Sequence, residues 1–126
     1  EQHIRREKAS SNICSNEALC ALTASVYMAS MGPKGMQEAA RQCHAKAHYL
    51  AKELCKIPGV SLLYKGEFFH EFVTVMPNSE QVLKALEDKG ILGGLPLENG
   101  ILWCATEKVS KAQIDQTVAI IREVLK

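Results

Sequence analysis

Residues 60–76, VSLLYKGEFFHEFVTVM, decide the fold of this chain. The stretch opens with a short apolar run at residues 60–64, and residues 65–67 (KGE) are typical of a turn. Residues 69–76 then alternate apolar with polar side chains, which is the period of a strand with one buried face. The pattern predicts two neighbouring strands, and therefore a sheet in the middle of the chain.

Two helices are predicted before this pair of strands. Residues 15–31 carry recurring apolar side chains after Ser15 or Asn16 as N-cap, and Gly32-Pro33 is a stop signal, which together predict a buried helix. Pro33 also suits the first turn of a second helix, which ends before Pro58-Gly59. The apolar residues of this second helix recur at three- and four-residue steps: Met36, Ala39, Ala40, Cys43, Ala47, Leu50, Ala51 and Leu54.

Four elements are predicted after the strands. Residues 78–87 form a helix capped by Asn78 or Ser79, with Gly90 closing its C-terminus. Residues 90–97 are rich in Gly and Pro and form a loop or a bent short strand, and residues 101–105 (ILWCA) form a buried strand. The last helix is capped by Ser110, and its apolar stripe comprises Ile114, Val118, Ile121 and Leu125.

This order of elements predicts an α/β fold. Too few strands are present for a barrel, so we expect a two-layer sandwich in which helices cover one face of a small, mostly antiparallel sheet. The other face of such a sheet needs a cover from a missing domain or a partner, because a large exposed apolar face usually marks an interface.

Composition excludes several classes of function. The 126 residues carry a net charge of +1, so no overall field attracts nucleic acid or an anionic membrane. No apolar run reaches the roughly 18 residues that span a bilayer. The five cysteines form no CxxC pair and are interpreted as buried thiols of a reducing cytosol. His44 and His48 lack the glutamate of an HExxH motif, so no metal site is predicted.

Residues 1–19, EQHIRREKASSNICSNEAL, closely resemble a stretch of the glycine dehydrogenase (decarboxylating) family, the P-protein of the glycine cleavage system. The similarity continues through residues 32–35 (GPKG), 46–49 (KAHY), 68–72 (FFHEF), 93–97 (GGLPL) and 106–108 (TEK). The fit is best to the C-terminal part of subunit 1 of the bacterial two-subunit enzymes. Because the chain starts with Glu1 in a polar, basic stretch, we expect it to begin partway through a longer polypeptide.

The resemblance implies the C-terminal small domain of a fold-type I pyridoxal-phosphate enzyme. Residues 1–14 would be a polar segment arriving from a missing N-terminal large domain, and residues 15–126 would be the small domain. The implied reaction decarboxylates glycine and passes the aminomethyl group to the lipoyl arm of H-protein. The implied partners are glycine dehydrogenase subunit 2, in a cytoplasmic bacterial heterotetramer, and lipoylated H-protein, with no nucleic acid and no membrane. The resemblance also implies that the Schiff-base lysine belongs to subunit 2, so we expect this chain to hold no catalytic residue and to be inactive alone.

Four residues are candidates for lining the active site. Ser11 and Asn12 offer directional donors near the cofactor or the lipoyl arm, although clustered Ser and Asn also serve as local turn formers. Thr106 and Glu107 leave a strand end, where α/β proteins place ligands, although capping of the last helix explains them equally well. His70 and Glu71 are expected to face opposite sides of their strand and therefore not to cooperate.

Two other functions fit the element pattern. One is a non-catalytic α/β interaction module that binds an acidic or lipoylated carrier protein, and such a module should lack a large apolar sheet face. The other is a ferredoxin-like domain that binds a small regulatory ligand, which leaves the N-terminal segment without a role.

Overall fold

The computed structural model describes residues 16–126, which contain three helices and four strands. The elements in chain order are α1 Asn16–Leu54, β1 Ser61–Leu62, β2 Glu71–Val75, α2 Ser79–Glu87, β3 Leu95–Leu97, β4 Gly100–Cys104 and α3 Lys111–Val124. The contacts divide the chain into two compact units, residues 1–37 and residues 38–126. The predicted boundary between residues 14 and 15 lies outside the described residues and stays a prediction.

The described part of the first unit, from residue 16, is helical, and its helix is interrupted where the sequence predicts. Gly32 has φ 63° and ψ 175°, a conformation outside the helical region that Gly adopts without steric cost, and Pro33 starts the next helical stretch. The expected burial of this helix is wrong for residues 17–31, whose side chains are exposed. Leu22, for example, is 61% exposed, and Leu19, Val26 and Tyr27 are also exposed. The described part of this unit is a single helical layer, and one layer cannot bury its own apolar stripe.

The second unit is an α/β sandwich, as predicted. Its sheet has the order β1-β2-β4-β3, and all three pairings are antiparallel. Phe72 lies opposite Trp103 in the β2–β4 register, and both side chains are buried in the core with residues from all three helices. The helix residues of this core are Ala47, Leu50, Ala51 and Leu54 of α1, Val82 and Leu86 of α2, and Ile114, Val118 and Ile121 of α3.

The other face of the sheet is partly open. Leu95 pairs with Leu102 on the face opposite the Trp103 side chain, and Leu95 is 59% exposed. Leu97 and Val75 are exposed as well. Apolar side chains on an open sheet face are typical of a surface that another layer covers.

The ends of α2 and α3 are set by local signals. Ser110 and Gln113 form a capping box at the start of α3, in which each side chain accepts a hydrogen bond from the other residue's backbone N–H. Gly90 has φ 72°, and the N–H of Ile91 donates to the carbonyl of Leu86 over 2.9 Å, which closes α2. Asn78 is the N-cap of α2, but its side chain makes no capping hydrogen bond.

The prediction of buried thiols is wrong for the cysteines that the structure describes. Cys20, Cys55 and Cys104 are exposed and Cys43 is half-buried, all four as free thiols. Cys104 follows Trp103 on β4, and successive side chains of a strand point to opposite faces, so Cys104 points away from the core. From residue 16 onward, no helix has the length and apolar content needed to cross a membrane.

Candidate functional site

The turn after β4 carries two of the predicted site residues, Thr106 and Glu107. The carbonyl of Thr106 accepts a hydrogen bond from the N–H of Val109 over 3.2 Å, and its hydroxyl accepts one from the N–H of Lys108 over 3.4 Å. Helix α3 is capped by Ser110 instead, so capping does not account for Thr106 or Glu107. The turn is therefore a preformed feature at the end of a central strand.

Helix α1 holds Glu107 in place. The thiol of Cys43 donates to Glu107 Oε2 over 3.1 Å, and the N–H of Glu107 donates back to Cys43 Sγ over 3.3 Å. Lys46 Nζ donates to the carbonyl of Glu107 over 2.7 Å. Cys43 and Lys46 are three residues apart and so share one face of α1. Neither contact is predictable from the sequence pattern, because each joins positions more than 60 residues apart.

These contacts fix the charge states at the turn. The hydrogen bond from Cys43 lowers the pKa of the Glu107 carboxyl, which is therefore ionised at neutral pH. Burial, followed by the hydrogen bond to Glu107, raises the pKa of the Cys43 thiol. Cys43 is thus a neutral donor, and its thiolate is disfavoured as a nucleophile. Glu107 offers a fixed anionic acceptor to a cationic or hydrogen-bond-donating ligand.

A cluster of imidazole and phenyl rings lies between α1 and the segment before β2. His44 and His48 stack with centroids 4.0 Å apart, and His48 also stacks on Phe68 at 4.1 Å. His48 Nε2 donates to the carbonyl of Phe68 over 3.0 Å, which anchors the segment to the helix. The helical i, i+4 spacing of the two histidines therefore serves packing in the described structure.

His70 and Glu71 do not diverge, contrary to the expectation from strand alternation. Strand β2 begins at Glu71, so His70 lies in the preceding bend and is not bound by the two-residue period of a strand. The ligand atoms of His70, Glu71 and Cys104 all lie within 4.8 Å of one another. Glu71 pairs directly with Cys104 across β2 and β4, a contact that spacing in the sequence does not reveal.

A separate cavity of about 430 Å³ lies beside α3. Its lining residues are Leu50, Lys89, Gly90, Ile91, Leu92, Gly93, Trp103, Cys104, Ala105, Val109, Gln113, Ile114, Gln116 and Thr117. Neither Thr106 nor Glu107 is among these lining residues. Ser11 and Asn12 lie outside the described residues, so the structure brings together Thr106 and Glu107 alone.

Comparisons with known proteins identify the family. The model of the glycine cleavage system P-protein family matches residues 1–121. A relative from Chlorobium limicola, named probable glycine dehydrogenase (decarboxylating) subunit 1, is 50% identical over 123 residues, covering 94% of this chain and 28% of the relative. One of the same name from Dictyoglomus turgidum is 49% identical over 135 residues, covering all of this chain and 30% of the relative.

The fold is shared with a solved structure. A crystal structure of glycine decarboxylase (P-protein) of the glycine cleavage system, in inhibitor-bound form, superimposes with a TM-score of 0.86 at 37% identity, over 98% of this chain and 30% of that one. The chain thus spans under a third of the length of the proteins that it matches. The resemblance found in the sequence is confirmed, and the chain belongs to the glycine cleavage system P-protein family.

Proposed function

We propose that this chain is the small-domain portion of a glycine-decarboxylating P-protein that transfers the aminomethyl group of glycine to the lipoyl arm of H-protein. The family match over residues 1–121 carries this proposal. The relatives are named as subunit 1, which supports a second subunit as partner. The assembly with that subunit as a heterotetramer in the bacterial cytoplasm is part of the proposal and follows the family resemblance. The catalytic activity belongs to that assembly, and the chain alone is inactive.

The open apolar surfaces support a role inside a larger enzyme. A free-standing interaction module should lack a large apolar sheet face, whereas Val75, Leu95 and Leu97 are exposed on this sheet. The helix at residues 16–31 also exposes its apolar residues. Removing apolar surface from water lowers the free energy by about 25 cal/mol per Å². Both surfaces therefore favour a chain that packs against additional protein layers, and they argue against a free-standing module.

Four lysines of the described residues have contacts or surroundings that do not favour a Schiff base with pyridoxal phosphate. Lys46 donates a hydrogen bond to the carbonyl of Glu107. Lys56 and Lys111 form salt bridges with Glu53 and Asp115, respectively. Lys89 lines the 430 Å³ cavity, but no carboxylate in that lining could hold a pyridinium nitrogen. We assign the Schiff-base lysine and the main cofactor contacts to the rest of the enzyme, with subunit 2 as the source of the lysine, as the family resemblance implies.

Four residues of this chain are proposed to line the active site, namely Ser11, Asn12, Thr106 and Glu107. Glu107 is the best supported of them, because its carboxylate is ionised and its position is fixed by Cys43 and Lys46. A preorganised carboxylate of this kind can orient a cationic amino group of the substrate. Thr106 would contribute a hydroxyl from the same turn.

The test is exchange of labelled bicarbonate into the carboxyl group of glycine. The assay uses the complete subunit that carries this chain, subunit 2, H-protein and pyridoxal phosphate. Glu107→Gln keeps an acceptor for the Cys43 thiol but removes the negative charge, and the double variant Ser11→Ala, Asn12→Ala removes both polar side chains. We expect each to lower exchange at least tenfold while the subunits still associate.

Glu80→Gln is the matched control, because Glu80 is an exposed carboxylate in the first turn of α2. It should leave exchange unchanged. Exchange within twofold of this control in the Glu107 and Ser11/Asn12 variants would remove these residues from the active site. If the intact subunit does not stimulate exchange at all, the proposed function itself is wrong.

A further inference from the structure

Three side chains with metal-binding atoms meet beside the start of β2. His70, Glu71 and Cys104 each offer one ligand atom, and these atoms lie within 4.8 Å of one another. Glu71 and Cys104 are direct partners in the antiparallel β2–β4 register, so their side chains emerge side by side from the same face. The two strands thus fix the spacing of two of the three groups.

His70 is held against this pair by backbone and ring contacts. Its carbonyl accepts a hydrogen bond from the N–H of Ala105 over 3.2 Å, which ties the bend to the end of β4. The Phe69 ring meets the imidazole edge-on with centroids 4.9 Å apart. Within residues 16–126, His70 Nδ1 is the one buried side-chain nitrogen or oxygen without a hydrogen-bond partner.

A buried polar atom without a partner normally indicates a ligand or an ordered water. We propose that His70 Nδ1, the Glu71 carboxylate and Cys104 Sγ bind one divalent transition-metal ion of the zinc class, with water at a fourth position. This site has no part in the proposed decarboxylation. Thiolate and imidazole donors select zinc-like ions over magnesium or calcium, which prefer all-oxygen sites.

The geometry needs only small adjustments. Zinc bonds of about 2.0–2.3 Å in a tetrahedron place the ligand atoms roughly 3.3–3.8 Å apart. Glu71 and Cys104 are exposed, so rotation of their side chains can close the gap from 4.8 Å while the imidazole stays in place. Two ligands on paired strands and one in a packed bend make a site that is largely preformed.

The protein charges also favour a cation here. Glu71 places a negative charge beside the Cys104 thiol, because the two residues are direct partners across β2 and β4. On binding, the S–H bond breaks, the sulfur electron pair forms the metal–sulfur bond, and the proton passes to solvent. The ion then neutralises the repulsion between the thiolate and the Glu71 carboxylate.

Cobalt(II) titration of the full 126-residue chain under reducing conditions tests the proposal, because a cobalt–thiolate bond has a charge-transfer absorption band. We expect a band that saturates at one equivalent and disappears when zinc is added. Cys104→Ser should abolish the band, and His70→Gln and Glu71→Gln should each weaken binding at least tenfold. Circular dichroism of every variant checks that the fold is retained.

Two variants serve as controls. Cys55→Ser removes another exposed thiol, and His44→Gln disrupts the histidine pair with helical i, i+4 spacing. Both should leave the cobalt spectrum and the affinity unchanged. The proposal is overturned if no thiolate band forms, or if the band depends on Cys55 or His44 while the Cys104 and His70 variants retain it.

Discussion

Replacing Thr74 by Val tests the core of the α/β unit most sharply. Trp103 Nε1–H donates a hydrogen bond to Thr74 Oγ1 over 2.8 Å, and both side chains are buried. Valine preserves the branched shape but removes the acceptor, which leaves the indole N–H buried without a partner. Because such an orphaned group costs about 1–3 kcal/mol, we expect the free energy of unfolding to fall by about 2 kcal/mol.

Urea unfolding of the 126-residue chain, followed by far-ultraviolet circular dichroism, measures this loss. With a slope of about 1–3 kcal/mol per M of urea, the midpoint should fall by roughly 1 M. Thr117→Val is the matched control, because the Thr117 hydroxyl donates its hydrogen bond within α3, to the carbonyl of Gln113 one turn earlier. That change should stay within about 0.5 kcal/mol.

A double-mutant cycle with Trp103→Phe isolates the hydrogen bond. Phe keeps an aromatic ring but has no N–H, so Thr74→Val should cost much less in the Trp103→Phe background. Circular dichroism is needed because Trp103 is the sole tryptophan. Equal costs of Thr74→Val in both backgrounds, or a cost no larger than that of Thr117→Val, would refute the reasoning.

Three further predictions follow from single features of the fold. Ser110→Ala removes the capping box of α3 and should lower the free energy of unfolding by about 1 kcal/mol, and an unchanged urea midpoint would contradict that role. Leu86→Ala opens a cavity at a fully buried site and should cost about 2–5 kcal/mol, whereas Leu92→Ala, at a position that is 99% exposed, should cost less than about 0.5 kcal/mol in the same assay. The hydrogen bond from Arg41 lowers the pKa of Glu38 to about 2, so the stabilising contact is fully present above the unfolded pKa of 4.5 and is lost as the pH falls towards 2. In an NMR titration, Arg41→Gln should return the Glu38 pKa towards 4.5. An unmoved pKa would exclude Arg41 as the cause.

The parts of the fold that were predicted correctly are those encoded by neighbouring residues. Gly32-Pro33 breaks the helix because of its own backbone preferences, and Ser110 caps α3 through a partner only three residues away. The stripe of α3 follows from helical periodicity, and Ile114, Val118 and Ile121 are buried as expected. Such signals act within one element, so the sequence is enough to read them.

The errors arose where the outcome depends on distant residues. The apolar pattern of residues 15–31 identifies a helix, but it does not specify whether this chain or another protein layer buries that helix. Alternation predicted that His70 and Glu71 diverge, because the start of β2 at Glu71 could not be placed to within one residue. The contact of Cys43 with Glu107 depends on how α1 packs beside the end of β4.

The central claim is that this chain works as part of a glycine-decarboxylating enzyme, and glycine–bicarbonate exchange with and without the complete subunit that carries it tests this claim most directly. Subunit 2, H-protein and pyridoxal phosphate are present in every reaction. We predict that exchange requires the complete subunit and that residues 1–126 alone give no exchange. Full exchange without the subunit, or none when all components are present, would contradict the claim.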